Sequence, residues 1–140
     1  MNSTSLLIGG QWVPGRSGVT EEVRSPYDGS VVGVVPTAGL ADVELALQAA
    51  ECGATTWRRT PAHERMRILL KAAELADEHT AAIAATLSAE NGKTITEATV
   101  EAGRSGDLIR LSAFEGTQLY GESLPLDANK GTGFDKIGFT

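Results

Sequence analysis

One cysteine, Cys52, among 140 residues excludes an internal disulfide framework and fits a reducing compartment. No apolar run approaches the roughly 20 residues a membrane span needs. Basic residues are few: 12 Lys and Arg stand against 18 Asp and Glu, giving a formal charge of −6. No basic run could track a phosphate backbone, so nucleic acid is not an expected partner. The opening MNSTSLLIGGQW lacks the charged start and long apolar stretch of a secretory signal, and it carries no lipidation signature. The expectation is a cytoplasmic protein without a membrane partner. Two histidines, His63 and His79, lie far apart with no HxxxH spacing, which argues against a transition-metal site. Glycine is plentiful at 16, yet neither GxGxxG nor GxxxxGK[ST] occurs, and Gly131-Thr132-Gly133 reads as a hairpin tip rather than a nucleotide cradle.

What the chain does hold is ordinary globular material, 41% hydrophobic and 21% charged, enough for one domain or part of a larger one. The first third reads as β: Leu6 to Val13 folds at Gly9-Gly10, and Val23 to Ser25 returns through Pro26-Tyr27-Asp28-Gly29 into the β-branched run Val31 to Val35. From Gly39 the period lengthens. Val43, Ala46, Leu47, Ala50, Ala54 and Trp57 form one helical face, with Gly39 as N-cap and Asp42 in the first turn. Thr60 and Pro61 mark the next helix start, and Met66, Leu69, Leu70, Ala73 and Ala76 share its apolar side. A third helix, Thr80 to Glu90, stops at Asn91-Gly92, a pair suited to a left-handed cap.

The stretch Thr94 to Gly121 carries the longest helical pattern. Ile95, Ala98, Ala102, Gly106, Ile109, Ala113 and Gly116 recur at helical spacing, a stripe of mostly small side chains that permits close packing. Its glycines each cost roughly 1 kcal/mol relative to Ala, so this helix needs tertiary support. A second face aligns Val100, Arg104, Leu108 and Leu111. After Gly121 the chain reads as extended: Ser123 to Leu126, a polar turn, then Phe134 to Thr140, a hairpin that no other part of the chain covers.

Two residues carry the sharpest chemistry, and each has two readings. Arg104 either pairs on the helix surface with Glu101 and Asp107, three residues away on either side, or presents its planar fork to an anionic group. Glu90 is either a last-turn surface acid or a hard oxygen ligand for a cation. Cys52 sits within an amphipathic helix with no histidine near it in sequence and reads as an idle thiol.

Several stretches together resemble the N-terminal part of the aldehyde dehydrogenase superfamily: IGGQW at Ile8 to Trp12, SPYDGSVVGVVP at Ser25 to Pro36, AlaAspVal at Ala41 to Val43, and W-x-x-x-P-x-x-E-R from Trp57 to Arg65. AENGK at Ala89 to Lys93, Glu101-Ala102 and YGESLP at Tyr120 to Pro125 continue the match in order. The resemblance implies an α/β fold in which residues 1–121 supply the β-hairpins and four-helix flank of a cofactor-binding domain. Residues 122–140 would begin an oligomerisation arm, with a homo-oligomer as the implied assembly. It implies NAD- or NADP-dependent oxidation of an aldehyde to an acid, by a thiolate nucleophile, an oxyanion hole and a general-base glutamate. Those parts follow the present residues in the family's order, so no catalytic or cofactor-binding residue is expected here, and Cys52 does not match the nucleophile's motif. The chain is expected to be a fragment, inactive alone. Val100 and Arg104 fall where family members line the aldehyde entrance. An arginine there departs from the usual apolar or aromatic occupant and points to a succinate-semialdehyde-like or phosphorylated aldehyde. Glu90, with backbone carbonyls at Val23 and Arg24, resembles a structural monovalent-cation site. The competing expectation is a non-catalytic helical scaffold or interaction module derived from the family.

Overall fold

The computed structural model describes residues 4–125 and 137–139. Two antiparallel hairpins open the chain. Strands β1 (Leu6–Ile8) and β2 (Gln11–Val13) pair Leu6 with Val13 and Ile8 with Gln11. The turn between them needs positive φ at both central residues, and Gly9 and Gly10 supply it at 59° and 79°. Strands β3 (Thr20–Arg24) and β4 (Val31–Pro36) pair antiparallel, with a register shift between Val23 and Arg24. The intervening turn is tied by Asp28, which accepts from the Ser30 hydroxyl at 2.7 Å and the Ser30 amide at 3.0 Å. Those two bonds, the hydroxyl first, hold the Asp28 carboxyl below its ordinary pKa.

Helix α1 (Leu40–Arg59) begins at Gly39, as its sequence indicates, and Asp42 closes its first turn by accepting from the Gly39 amide at 2.9 Å. Asp42 is also the one buried charged residue among those described, and it reaches back to the Arg16 amide at 3.1 Å, fastening the loop after β2 to the helix start. The expected apolar face of α1 is not a core face here. Val43, Leu47 and Trp57 are exposed, while Leu45 and Ala49 are partly covered, because the neighbour that packs on α1 is β1.

Helix α2 (Ala62–Glu78) starts after Pro61. Thr60, expected as its N-cap, instead ends α1: its hydroxyl donates to the Thr56 carbonyl at 3.0 Å, and its side chain is thereby unavailable to the next helix. Helix α3 (Thr80–Asn91) terminates at Gly92 in the left-handed conformation, φ 77°. A Cβ on Gly92 would lie 2.8 Å from Pro26 Cγ, so the same glycine also lets the β3–β4 turn approach the helix end.

The long helical stretch is interrupted. It forms α4 (Ile95–Gly103) and α5 (Ser105–Glu115), meeting at Arg104, whose backbone stays helical at φ −80°, ψ −15° but whose amide bonds the Glu101 carbonyl three residues back. Gly103, with the highest backbone freedom at that point, accounts for the tightened step. The four expected helices are therefore five segments. Helix α4 packs along α3 and α5 along α2. The small-residue stripe supplies both contacts: Ala98, Ala102, Gly106 and Ala113 are buried, and Ala84 of α3 joins Ala98 and Ala102 with Leu87 at the edge. At Gly106 a Cβ would stand 2.8 Å from Asp77 Cγ of α2, so a larger residue there would have to displace the Asp77–Arg110 pair. Strands β5 (Ser123–Pro125) and β6 (Ile137–Phe139) pair antiparallel, and the polar turn read between them lies outside the described residues.

Candidate functional site

The residues singled out in the sequence gather around α4 and its two ends. Thr94 is the N-cap: its hydroxyl accepts from the Glu97 amide at 3.3 Å, while Glu97 Oε2 accepts from the Thr94 amide at 3.3 Å and its hydroxyl at 2.9 Å. This reciprocal box fixes the helix start and commits the Glu97 carboxylate. Lys93, one residue earlier, forms an ion pair with Glu101 two turns along the helix. Ser88 of α3 donates to the Lys93 carbonyl at 2.7 Å and so braces the connection from the other side.

At the far end of α4, Val100 is 52% exposed and Arg104 is exposed one turn on. Together with Thr96, Glu97 and Glu101 they line a shallow groove of about 390 Å³ along one side of the helix. The surface-pair reading of Arg104 does not describe what is found. Glu101 is engaged by Lys93, and Asp107 is engaged by Arg110 at 3.5 Å. Arg110 also binds Asp77 of α2, a hydrogen bond that, before any other influence, raises its pKa further. Among the described residues the Arg104 guanidinium has no hydrogen-bond or ion-pair partner. An exposed planar fork beside an apolar Val100 can take a carboxylate or phosphate with two parallel N–H···O bonds.

Glu90 lies on the opposite side of Glu101, in a separate hollow of about 330 Å³ with Ile83, Thr86, Leu87, Ala102 and Ser105. Val23 and Arg24 are near the α3 terminus through chain geometry: Pro26, two residues beyond Arg24, touches Gly92, two residues beyond Glu90. The Arg24 side chain is occupied with Glu22 and with the Gly29 carbonyl at 2.9 Å. Among the described residues no three His, Cys, Asp or Glu side chains converge on one point, so a cation here would depend on backbone oxygens.

A further concavity, about 560 Å³, lies between the first hairpin and α1 and includes Arg16, Asp42 and Cys52. Cys52 is exposed there with no histidine among the lining residues, so the thiol–imidazole pair of a cysteine nucleophile is not formed at this hollow. Sequence reasoning assigned Asp42 only a first-turn role. Its burial and its reach to Arg16 were signalled weakly, by an acid three residues after a glycine N-cap.

This architecture is found in proteins of known kind. The model of the aldehyde dehydrogenase family matches residues 12–136. Malonate-semialdehyde dehydrogenase 2 of Geobacillus kaustophilus is 40% identical over 118 residues, covering 84% of this chain and 24% of its own length. Vanillin dehydrogenase of Corynebacterium glutamicum is 38% identical over 125 residues, covering 89% and 26%. The crystal structure of the NADP-dependent glyceraldehyde-3-phosphate dehydrogenase of Bacillus halodurans, complexed with NADP, superposes with a TM-score of 0.91 at 31% identity, over 99% of this chain and 29% of that one. The chain thus spans about a quarter of the length of the curated relatives it matches. With the hairpins, the helix pairs and nearly the whole sequence accounted for by that match, the chain belongs to the aldehyde dehydrogenase family.

Proposed function

We propose that this chain supplies the N-terminal scaffold and one wall of the substrate entrance in an NAD(P)-dependent enzyme that oxidises an aldehyde to a carboxylic acid, and that the aldehyde carries a carboxylate or phosphate. The observation that carries the substrate class is Arg104, exposed on a groove with Val100 while both flanking acids are held by other cations. Val100 contributes apolar surface for the carbon chain, and Arg104 fixes the anionic end. Two similar proteins are named for aldehydes of this kind, malonate semialdehyde and glyceraldehyde-3-phosphate, although vanillin dehydrogenase is named for a neutral one.

The described residues do not fit the nicotinamide cofactor. Their strands pair only as antiparallel hairpins, without the parallel strand–helix unit whose glycine-rich turn seats a pyrophosphate. The N-termini of α1 and α4 are already closed by the carboxylates of Asp42 and Glu97. No step of the oxidation is therefore assigned to residues of this chain, and alone it is expected to turn over no aldehyde.

Residues 1–121 are assigned to the cofactor-binding domain and residues 122–140 to an oligomerisation arm. The pairing of β5 and β6 with each other alone, among the described strands, supports the arm by leaving outer edges for another subunit. Glu90, with the Val23 and Arg24 carbonyls, is assigned to a structural monovalent cation, supported by the contact of Pro26 with Gly92. No helix among the described residues is long and apolar enough to cross a membrane.

The test of the substrate class is Arg104→Met in the enzyme carrying this chain. Loss of a charge-assisted pair of roughly 1.5–3 kcal/mol lowers kcat/KM about 10- to 100-fold for an acid- or phosphate-bearing aldehyde. Benzaldehyde should be used at its original rate within about twofold, because its ring makes no such bond. Equal losses on both substrates would remove the anion-binding role and leave Arg104 a structural residue.

A further inference from the structure

The groove that holds Arg104 is lined by two acids as well, Glu97 and Glu101, and a third, Asp107, follows one turn later. A free carboxylate at three residues' spacing on a helix would ordinarily pair with the arginine and cancel its charge. Each of the three is committed elsewhere. Glu97 is held in the capping box by Thr94, Asp107 lies against Arg110, and Glu101 is drawn back toward the helix start by Lys93. Glu101 is the critical one, because it borders both the Arg104 groove and the Glu90 hollow.

We propose that Lys93 is a positioning residue for substrate selection: by engaging Glu101 it keeps Arg104 open to the anionic end of the aldehyde. The inference rests on the anion-facing reading of Arg104 and adds to it the device that maintains it. Two physical effects act in the same direction. Lys93 occupies the carboxylate that would otherwise neutralise Arg104, and it balances Glu101 in a groove whose acids would repel an incoming anion. Ser88 donates to the Lys93 carbonyl and the capping box fixes the next residue, Thr94, so the ammonium is delivered from a braced loop. The pair is half-exposed, with side chains 37% and 54% accessible, so its influence is modest and reversible.

The experiment follows the Arg104 Nε–Hε resonance in the ¹⁵N-arginine-labelled enzyme carrying this chain, assigned by its loss in Arg104→Lys, with sodium malonate as the probe. Lys93→Met should move that resonance toward a hydrogen-bonded position before any malonate is added. It should also raise the malonate midpoint about twofold, the size an i,i+3 surface pair supports. Lys93→Arg, which keeps the pair, and Lys93→Met with Glu101→Gln, which removes the competitor, should both behave as the unaltered chain does. The proposal is overturned if Lys93→Met leaves the malonate-free resonance in place, or if adding Glu101→Gln to it restores nothing. A wild-type Arg104 that ignores malonate would instead defeat the anion-binding reading, while the malonate-free shift still decides whether Lys93 controls Glu101.

Discussion

Asp42 illustrates how much a single side chain can settle. At 1% exposure it accepts from two backbone amides on different segments, Gly39 at 2.9 Å and Arg16 at 3.1 Å, with the Arg16 guanidinium 3.9 Å away. Removing the carboxylate strands those amides. Asp42→Ala should therefore cost about 1–3 kcal/mol in denaturant unfolding of the chain, and loosen the loop after β2 before it affects α2 to α5. Arg104 is the complementary case, a charge whose meaning comes from the partners it lacks among the described residues. Its spacing from Glu101 and Asp107 was visible in sequence and suggested a surface pair. That Lys93 and Arg110 would claim those acids could not be read there, because Lys93 arrives from a loop and Arg110 is held by Asp77 of a different helix. Side-chain competition depends on distances between elements, which periodicity does not carry.

At the scale of elements, local chemistry was a good guide wherever it was strong. Gly9-Gly10 set the first hairpin and Gly92 ended α3, both through positive φ that other residues seldom adopt. The small-residue stripe correctly marked the close-packed side of α4 and α5, with Ala98 at 0% and Ala102 at 3% exposure. Three expectations failed for identifiable reasons, the first being the apolar face of α1, which is left exposed because α1 packs on β1 alone among its stronger contacts. The single long helix tightens at Arg104, after Gly103, and Thr60 turned its hydroxyl back onto α1 rather than forward onto α2. The tight α3–α4 contact has a measurable corollary. Ala98→Leu should destabilise the chain by about 1–3 kcal/mol, since the added carbons meet Ala84 with no room to relax. Leu108→Ala, on the open face, should change stability by less than about 0.5 kcal/mol. Thermal or urea unfolding of the two variants separates the faces, and comparable losses would contradict the assignment of which side is core.

For the molecule as a whole, the notable property is what its helices leave open. Leu47 is 61% exposed on α1, and Leu108, Leu111 and Phe114 are each exposed beyond 55% on α5. Scattered apolar residues are ordinary on a surface, but a helix face of them is a surface that lacks its cover. The isolated chain should bind an apolar dye and self-associate with rising concentration; a dye-silent monomer with a sharp cooperative melt would mean these faces need no partner. Membership of the family was legible from motif order, whereas helical periodicity marks an apolar face without telling whether a neighbour covers it.

As proposed above, this chain is one part of a larger oxidoreductase, furnishing scaffold and an anion-selecting wall rather than chemistry. The most direct test of this is the intact mass of the native gene product isolated from its source cells. A mass roughly three to four times the 14.6 kDa of these residues is expected, since 118 of the 140 residues already cover only 24% of a matched relative. A native product of 14.6 kDa, with no further chain attached, would contradict it and identify the protein as a non-catalytic binding module.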